Sequence, residues 1–511
     1  GNGYSLHLRQ GAPLLDSTSI VFRSPDDIQR EIERVQLTMD GDQPVREGYI
    51  RIGTRKRSHE MLETDFKKVL DNPESDMYVF CASYLQYRML FLDGKTRIDL
   101  VMERPVGDLQ QAPQNTLQRL FFDNAKRERV RVVLYDAFGE HFVVDPTKIG
   151  TLRIRMASIP PPNEETERGI HDAAVAFHAD AAPIEEKSDG VKAFAGIMSE
   201  IVGGDPSLIL IDEPEAFLHP SLSFKLGKQI ALQTRGTSKN VFASTHSESF
   251  LLGCIQSGAP VNIVRLTYRE GKATARLLEH RHLIKLMRNP ILRSARPIQG
   301  LFSEFVVVCE GDTDRAFYEE INERLSLSFD HRTIPNCLFI NAHNKSTVPT
   351  IMEPLRRMGI PAVGVVDLDV LKKKEDWGKL LKASEVPIVQ HQGLGNQRHQ
   401  IVEQLDKADR SWKRSGGIGV LEGGNRDGAK NVIETMAAYG VFIVPGGEVE
   451  SWLKALGVEG KGPEWLEHVF EEMGEDPEDV NYLRPSDGDV WDFVGGIKEW
   501  MTTPDRKGIP N

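Results

Sequence analysis

Residues 305–317 read FVVVCEGDTDRAF, and the change of character at Glu310 decides the fold. An apolar, β-branched run stops at an acid, which is how a buried strand ends at a functional edge. In open parallel α/β sheets the ligand crevice lies outside the carboxyl tips of the strands. Glu310 stands at such a tip. Gly311 lets the chain turn sharply. Asp312 and Asp314 then open a helix, where carboxylates suit the positive end of the macrodipole. By itself the stretch also reads as an acid that caps a helix after a strand.

Outward from there, strand and helix alternate, which predicts a parallel sheet. Strands are expected at 305–309, 338–341, 362–366 and 441–444, with helices at 314–325 and 348–358. The third strand runs into Asp367-Leu368-Asp369. Acids at i and i+2 off a strand point to one face, and held close they repel unless a cation joins them. Mg²⁺ (or Mn²⁺), with its oxygen ligands, is the natural solution. The fourth strand is followed by Pro445-Gly446-Gly447-Glu448-Val449-Glu450. Three acidic strand ends on one sheet form a pattern that a single acidic turn does not.

The first half carries a second set. Ser207–Pro214 reads SLILIDEP, a strand ending in Asp212 and Glu213. A second strand at 240–244 ends in Thr245-His246-Ser247. A metal-binding Asp212, an adjacent Glu213 able to orient water and His246 at the next strand end suit hydrolysis of a nucleoside triphosphate. Gly1, Gly3 and Ser5 fall in register with the end of a phosphate loop, whose glycines free backbone N–H groups for phosphate. Tyr4 stands where that loop carries lysine, and the strand expected ahead of it would precede Gly1.

Ser188-Asp189-Gly190, Asp212, Glu213 and His246 resemble, in order and spacing, the signature, Walker B acid, catalytic glutamate and switch histidine of an ABC-type ATPase head. Glu213-Pro214-Glu215 with Leu218-His219-Pro220 resembles the heads of DNA-repair and defence ATPases. The second half resembles the Toprim fold. An ABC head followed by Toprim in one chain resembles the OLD (overcoming lysogenisation defect) family, which includes Gabija-type nucleases, over nearly the whole length.

The resemblance implies an α/β chain: an ABC-type P-loop ATPase head at 1–298 and a Rossmann-like Toprim domain at 299–455. A helical insertion at about 385–440, in which no chemistry is visible, and a helical extension at 456–511 complete it. It implies an ATP-regulated, Mg²⁺-dependent endonuclease acting on DNA or RNA in anti-phage defence. Metal ligands would be Glu310, Asp314, Asp367, Asp369, Glu448 and Glu450. One ion would use Glu310, Asp314 and Asp367; the other would use Asp369, Glu448 and Glu450. Lys345 would face the phosphate. ATP would be held by Gly1, Gly3, Ser5, Ser188, Gly190, Asp212, Glu213 and His246 across a homodimer or larger assembly, with a helper protein encoded nearby. The alternative is a catalytically inactive, nucleotide-sensing scaffold carrying a Toprim effector, which Tyr4 favours.

Bulk properties set the limits. The 511 residues carry a net charge of −12, so nucleic acid must be met through local basic patches or metal ions. Basic clusters stand at 55–57 and 126–131, and a basic connector at 281–300. The four cysteines, Cys81, Cys254, Cys309 and Cys337, are widely spaced. That argues against zinc and for reduced thiols in a cytoplasmic protein. No apolar run reaches membrane-span length. In residues 16–170, strands are expected at 78–90, 97–102, 129–134 and 152–156, with an Asp93-Gly94 hairpin. Helices are expected at 114–122, 164–181 and 191–202, and two packing helices at 465–473 and 490–501.

Overall fold

The computed structural model describes residues 3–7, 17–21, 46–54, 57–85, 88–111, 113–269, 272–278, 280 and 298–509. Gly1 and most of the basic connector at 281–300 lie outside them. The chain divides into two compact units, the first ending at Val261 and the second running from Asn262.

The first unit is centred on a three-stranded parallel sheet. Strand Leu208–Asp212 lies between Met89–Leu92 and Asn240–Ser244. Helix Asp189–Gly203 lies close by, burying Phe194, Ile197, Met198 and Ile201 in the unit's main core with Ile209 and Ile211. Helices Pro220–Thr234 and Asn124–Phe138 add Leu226, Ile230, Val130 and Leu134 to it. An antiparallel ladder of His141–Asp145 and Thr151–Ala157 adds Phe142, Val144, Ile154 and Met156.

Three expected strands are not strands. Residues 77–85 form a short helix, Met77–Phe80, and a π turn, Cys81–Leu85, with only Met89–Leu92 extended. Residues 96–99 are helical. Asp93 accepts from the N–H groups of Lys95 and Thr96 at 3.0 and 2.8 Å, an Asx-type turn rather than a hairpin. Residues 129–134 lie in helix Asn124–Phe138, whose start is capped by Asp123 accepting from Lys126 N–H. Val130, Val133 and Leu134 share a buried face at i, i+3 and i+4, so helical spacing outweighs the local alternation. The basic cluster there is not a nucleic-acid face as a whole, because Arg127 and Arg131 are buried against the carboxylate of Glu167. The helix expected at 164–181 is broken into Glu164–Arg168 and Asp172–Asp180.

In the second unit the four expected strands form one parallel sheet, in the order Cys337–Asn341, Phe305–Cys309, Ala362–Val366, Val441–Ile443. Strands 305–309 and 362–366 are buried throughout, as strands covered on both faces must be. Helices Pro463–Met473 and Asp489–Thr502 add Trp465, Val469, Trp491 and Trp500 to the core that holds Phe317 and Tyr318. Trp452 Nε1–H donates to Tyr318 Oη at 2.9 Å inside that core. Arg356, fully buried, donates to the carbonyls of Ala362, Tyr439, Gly440 and Gly508 at 2.8–2.9 Å and lies 5.0 Å from the Trp500 ring. One guanidinium thereby ties the third strand, the approach to the fourth and the chain's end. Among the described residues no helix is long and apolar enough to cross a membrane.

Asp145 is a buried acid of the first unit held by a dense set of partners. Its buried carboxylate meets Arg153 and Arg155 at 2.6 and 2.7 Å and the Thr147 hydroxyl at 2.6 Å. Burial pushes its pKa up, but the Thr147 donors, His178 and Arg153 overcome this and hold it at about 2. A folded pKa below the ordinary 3.8 adds stability above that value, lost as the pH falls through it towards the folded one. Acid melts should show this loss. Asp145→Asn leaves two arginines without their counter-charge, and chemical denaturation at pH 7 should show a loss of about 3 kcal/mol.

Candidate functional site

The second unit's site is built by its topology. Strands 305–309 and 362–366 are adjacent and parallel, so Glu310 and Asp367 emerge side by side at one sheet edge. Asp367 N–H donates to Glu310 Oε1 at 3.1 Å. Carboxylate oxygens of Glu310, Asp367 and Asp369 all lie within 4.8 Å of one another. Burial raises the Glu310 pKa, and the Asp367 charge raises it further. Burial also raises Asp367, against the opposing pull of Lys413. Asp367 Oδ1 is buried and has no hydrogen-bond partner among the described residues. Clustered, desolvated carboxylates with an orphaned oxygen suit a hard divalent cation.

Lysines surround these acids. Lys345 Nζ lies 2.7 Å from Asp369 Oδ1. Its loop is ordered by Asn344, whose Oδ1 accepts from Thr347 N–H and from the Ser346 and Thr347 hydroxyls. Lys413 Nζ lies 2.7 Å from Asp367 Oδ2, 3.4 Å from Asp369 Oδ2 and 3.7 Å from Glu448 Oε2. Burial raises Asp369 too, but Lys345 and Lys413 hold its pKa below the usual value. Burial alone would lower Lys413, yet Asp367, Asp369 and Glu448 raise it.

The remaining expected ligands are disposed differently. Glu448 is buried and pairs with Lys461 at 3.0 Å. Glu450 accepts from Gly462 N–H at 2.9 Å. Burial and then Glu450 raise the pKa of Asp314, which in turn raises Asp367. The close trio joins Glu310 and Asp367 to Asp369, and Glu448 shares Lys413 with Asp369. Asp312 is exposed and pairs with Arg315 at 2.8 Å.

In the first unit, Asp212 and Ser244 are register partners, and Ser244 Oγ donates to Asp212 Oδ1 at 2.5 Å. Glu213 turns out of the strand at a positive φ of 46°. Its N–H donates to Ser244 O at 3.0 Å, and its carbonyl accepts from the Arg97 guanidinium. His246 Nε2 lies 3.8 Å from Glu213 Oε1, and both side chains are exposed. Thr245 Oγ donates to Glu215 Oε1 at 2.6 Å, and His246 N–H reaches the same oxygen at 3.3 Å. Burial lowers the Arg97 pKa, while Glu215, Asp212 and Glu213 oppose that shift. The three expected hydrolytic residues are brought to one edge, open to solvent.

Ser188 holds the N-cap position of helix Asp189–Gly203, but its hydroxyl makes no capping bond. Gly190 is required locally, since a Cβ there would meet Phe217 O at 2.6 Å. Of the residues expected in a nucleotide loop at the start of the sequence, Gly3 and Ser5 lie in a strand and Gly1 lies outside the described residues. Gly3–His7 is a strand laddered antiparallel to Ser17–Val21. N–H groups in such a ladder do not form a cradle leading into a helix.

Lys413, Lys461 and Arg97 were not singled out from the sequence. Lys413 lies in Ser411-Trp412-Lys413-Arg414-Ser415-Gly416-Gly417, in the insertion read as carrying no chemistry. A tryptophan and a Gly-Gly turn around a lysine were the available signal.

Residues 122–252 match the family model described as an AAA domain, putative AbiEii toxin, type IV TA system. Residues 301–369 match that of the overcoming lysogenization defect protein-like TOPRIM domain. No curated protein matches the chain. Two solved structures are similar at low level. One comes from work on ATP-driven dimerization and DNA-stimulated activation of SMC ATPases. It is 15% identical with a TM-score of 0.23, covering 33% of this chain and 92% of that one. The other is an SMC head bound to the C-winged helix domain of ScpA. It is 13% identical with a TM-score of 0.30, covering 53% and 75%.

Glu310, Asp367 and Asp369 lie close enough to share a cation, and one seated there would stabilise the folded state by mass action. Saturating Mn²⁺ should raise the melting temperature by roughly 5 °C. The rise should vanish in Glu310→Gln combined with Asp367→Asn. Differential scanning fluorimetry with and without the ion reads both.

Proposed function

From a chain with the ATPase-then-Toprim architecture of the OLD family, we propose an ATP-regulated endonuclease that hydrolyses phosphodiester bonds of DNA or RNA with Mg²⁺ or Mn²⁺. The observation that carries this reading is the close approach of Glu310, Asp367 and Asp369 beside two lysines. Glu310, Asp367 and Asp369 would hold one divalent ion, with Asp314, Glu448 and Glu450 available around it. Bound there, such ions supply an acidified water and neutralise charge on the phosphate.

The chain's own groups do the rest. Asp367 N–H fixes the Glu310 carboxylate. Lys461 and Gly462 N–H hold Glu448 and Glu450. Lys345, on its Asn344-ordered loop, places a positive charge beside the acids, where a phosphate oxygen needs a donor. In the head, Glu213 is the base that orients water, Asp212 the metal ligand and His246 the group beside the γ-phosphate. Ser188 and Gly190 would complete a neighbouring subunit's site in a homodimer. The family architecture supports a place in anti-phage defence, with a helper protein encoded nearby as a further partner.

Asp367→Ala with Asp369→Ala should abolish Mn²⁺-dependent cleavage of DNA and RNA substrates, and Lys345→Ala should slow it about 100-fold. Cleavage that survives the double substitution overturns the reading.

A second reading, an inactive nucleotide-sensing head, is favoured by Tyr4 at the lysine position and by the strand Gly3–His7. Phosphate release separates the two. Turnover that Glu213→Gln lowers about 100-fold supports an ATPase. No release from the wild type, with cleavage intact, establishes the scaffold.

A further inference from the structure

The insertion between the third and fourth strands of the second unit packs against the segments that follow both of those strands. Arg398 donates to Leu371 O and Lys372 O, just beyond the Asp367–Asp369 turn. Lys372 Nζ lies 4.5 Å from the ring of buried Trp412, whose Nε1–H donates to Asp406 at 2.8 Å. On the other side, Ile418 N–H donates to Pro445 O at 2.9 Å. Gly447, at a φ of 115°, lies so close to the Lys413 carbonyl that a Cβ would fall 2.0 Å from it. Lys413 is therefore delivered by a braced segment. Its ammonium points at Asp367, Asp369 and Glu448 together.

An ammonium 2.7 Å from Asp367 Oδ2 and a divalent ion on the same carboxylates repel each other and compete for the same lone pairs. We propose that Lys413 is an internal competitor for the divalent cation: it holds Asp367 and Asp369 together in the ion-free state and lowers their affinity for the incoming ion. This rests on the metal-site reading above. It makes the helical insertion, which carries none of the acids, the element that sets how much cation the site needs. Lys345 differs, because it contacts Asp369 from the sheet's own loop and reaches neither Asp367 nor Glu448 among the contacts described.

The test is direct Mn²⁺ binding by isothermal titration calorimetry on the full chain. Lys413→Met and Lys413→Gln remove the charge, and each should bind Mn²⁺ about tenfold more tightly than wild type, or better. Unchanged or weaker binding by variants that melt like wild type overturns the inference. A wild-type measurement stands beside it, independent of any variant's folding. Acylation of Lys413 by an amine reagent, mapped by peptide mass spectrometry, should rise severalfold when Mn²⁺ is added, because the displaced ammonium loses its carboxylate partners. No change in labelling overturns it equally. Asp367→Ala with Asp369→Ala is the reference. If that variant keeps wild-type Mn²⁺ affinity, the metal-site reading fails and the inference with it. If it loses binding while the Lys413 variants match wild type, only the competitor role fails.

Discussion

Like charges crowded at one sheet edge are the constraint on which the second unit depends. Glu310, Asp367 and Asp369 meet within 4.8 Å. At such a separation, with an effective dielectric near 20, ionised carboxylates repel by about 3.5 kcal/mol per pair. The fold tolerates this in two ways. Burial keeps Glu310 and Asp367 inclined to hold their protons. Lysines from a loop and from the short helix Trp412–Ser415 neutralise Asp369 and Asp367. Both compensations leave the cluster poised for a cation with more charge than an ammonium.

Much of the surrounding architecture holds that edge in place. The adjacent buried strands 305–309 and 362–366 fix the spacing of Glu310 and Asp367. Arg356 ties the bases of the third and fourth strands together through the carbonyls of Ala362, Tyr439 and Gly440, and adds that of Gly508. The first unit repeats the principle with other residues. Parallel strands bring Asp212 beside Ser244, Glu213 is turned outward at a positive φ, and Arg97 fastens its carbonyl. A non-glycine residue held in that conformation stores strain that functional sites commonly carry.

Sequence reading succeeded where an element was long, apolar and bounded. Strands 240–244, 305–309 and 362–366 stand at the expected residues, because each run ends at polar or acidic residues that cannot continue inward. It failed where short alternations competed with helix signals. Residues 129–134 alternate arginine, valine and leucine, but Asp123 caps a helix and the core takes one helical face. At 93–99 the aspartate closes a turn onto Thr96 instead of pairing two strands. The acids of the site were legible because a strand tip is a marked position. Lys413 and Lys461 were not, since one helical turn or one lysine carries no periodicity that points to its partners.

By itself, then, the sequence determined the four strands of the second unit's sheet, that they run parallel, and that three of them end in carboxylates on one edge. Hydrophobic runs and turn residues act locally, and a parallel sheet has its carboxyl ends on one side whatever its strand order. Only the tertiary structure decided that Glu310 and Asp367 are neighbours, that Asp369 joins them, and that an insertion lysine reaches between them. Those facts depend on strand order and on through-space distances, and electrostatics at 3–5 Å cannot be read from separations of tens of residues along a chain.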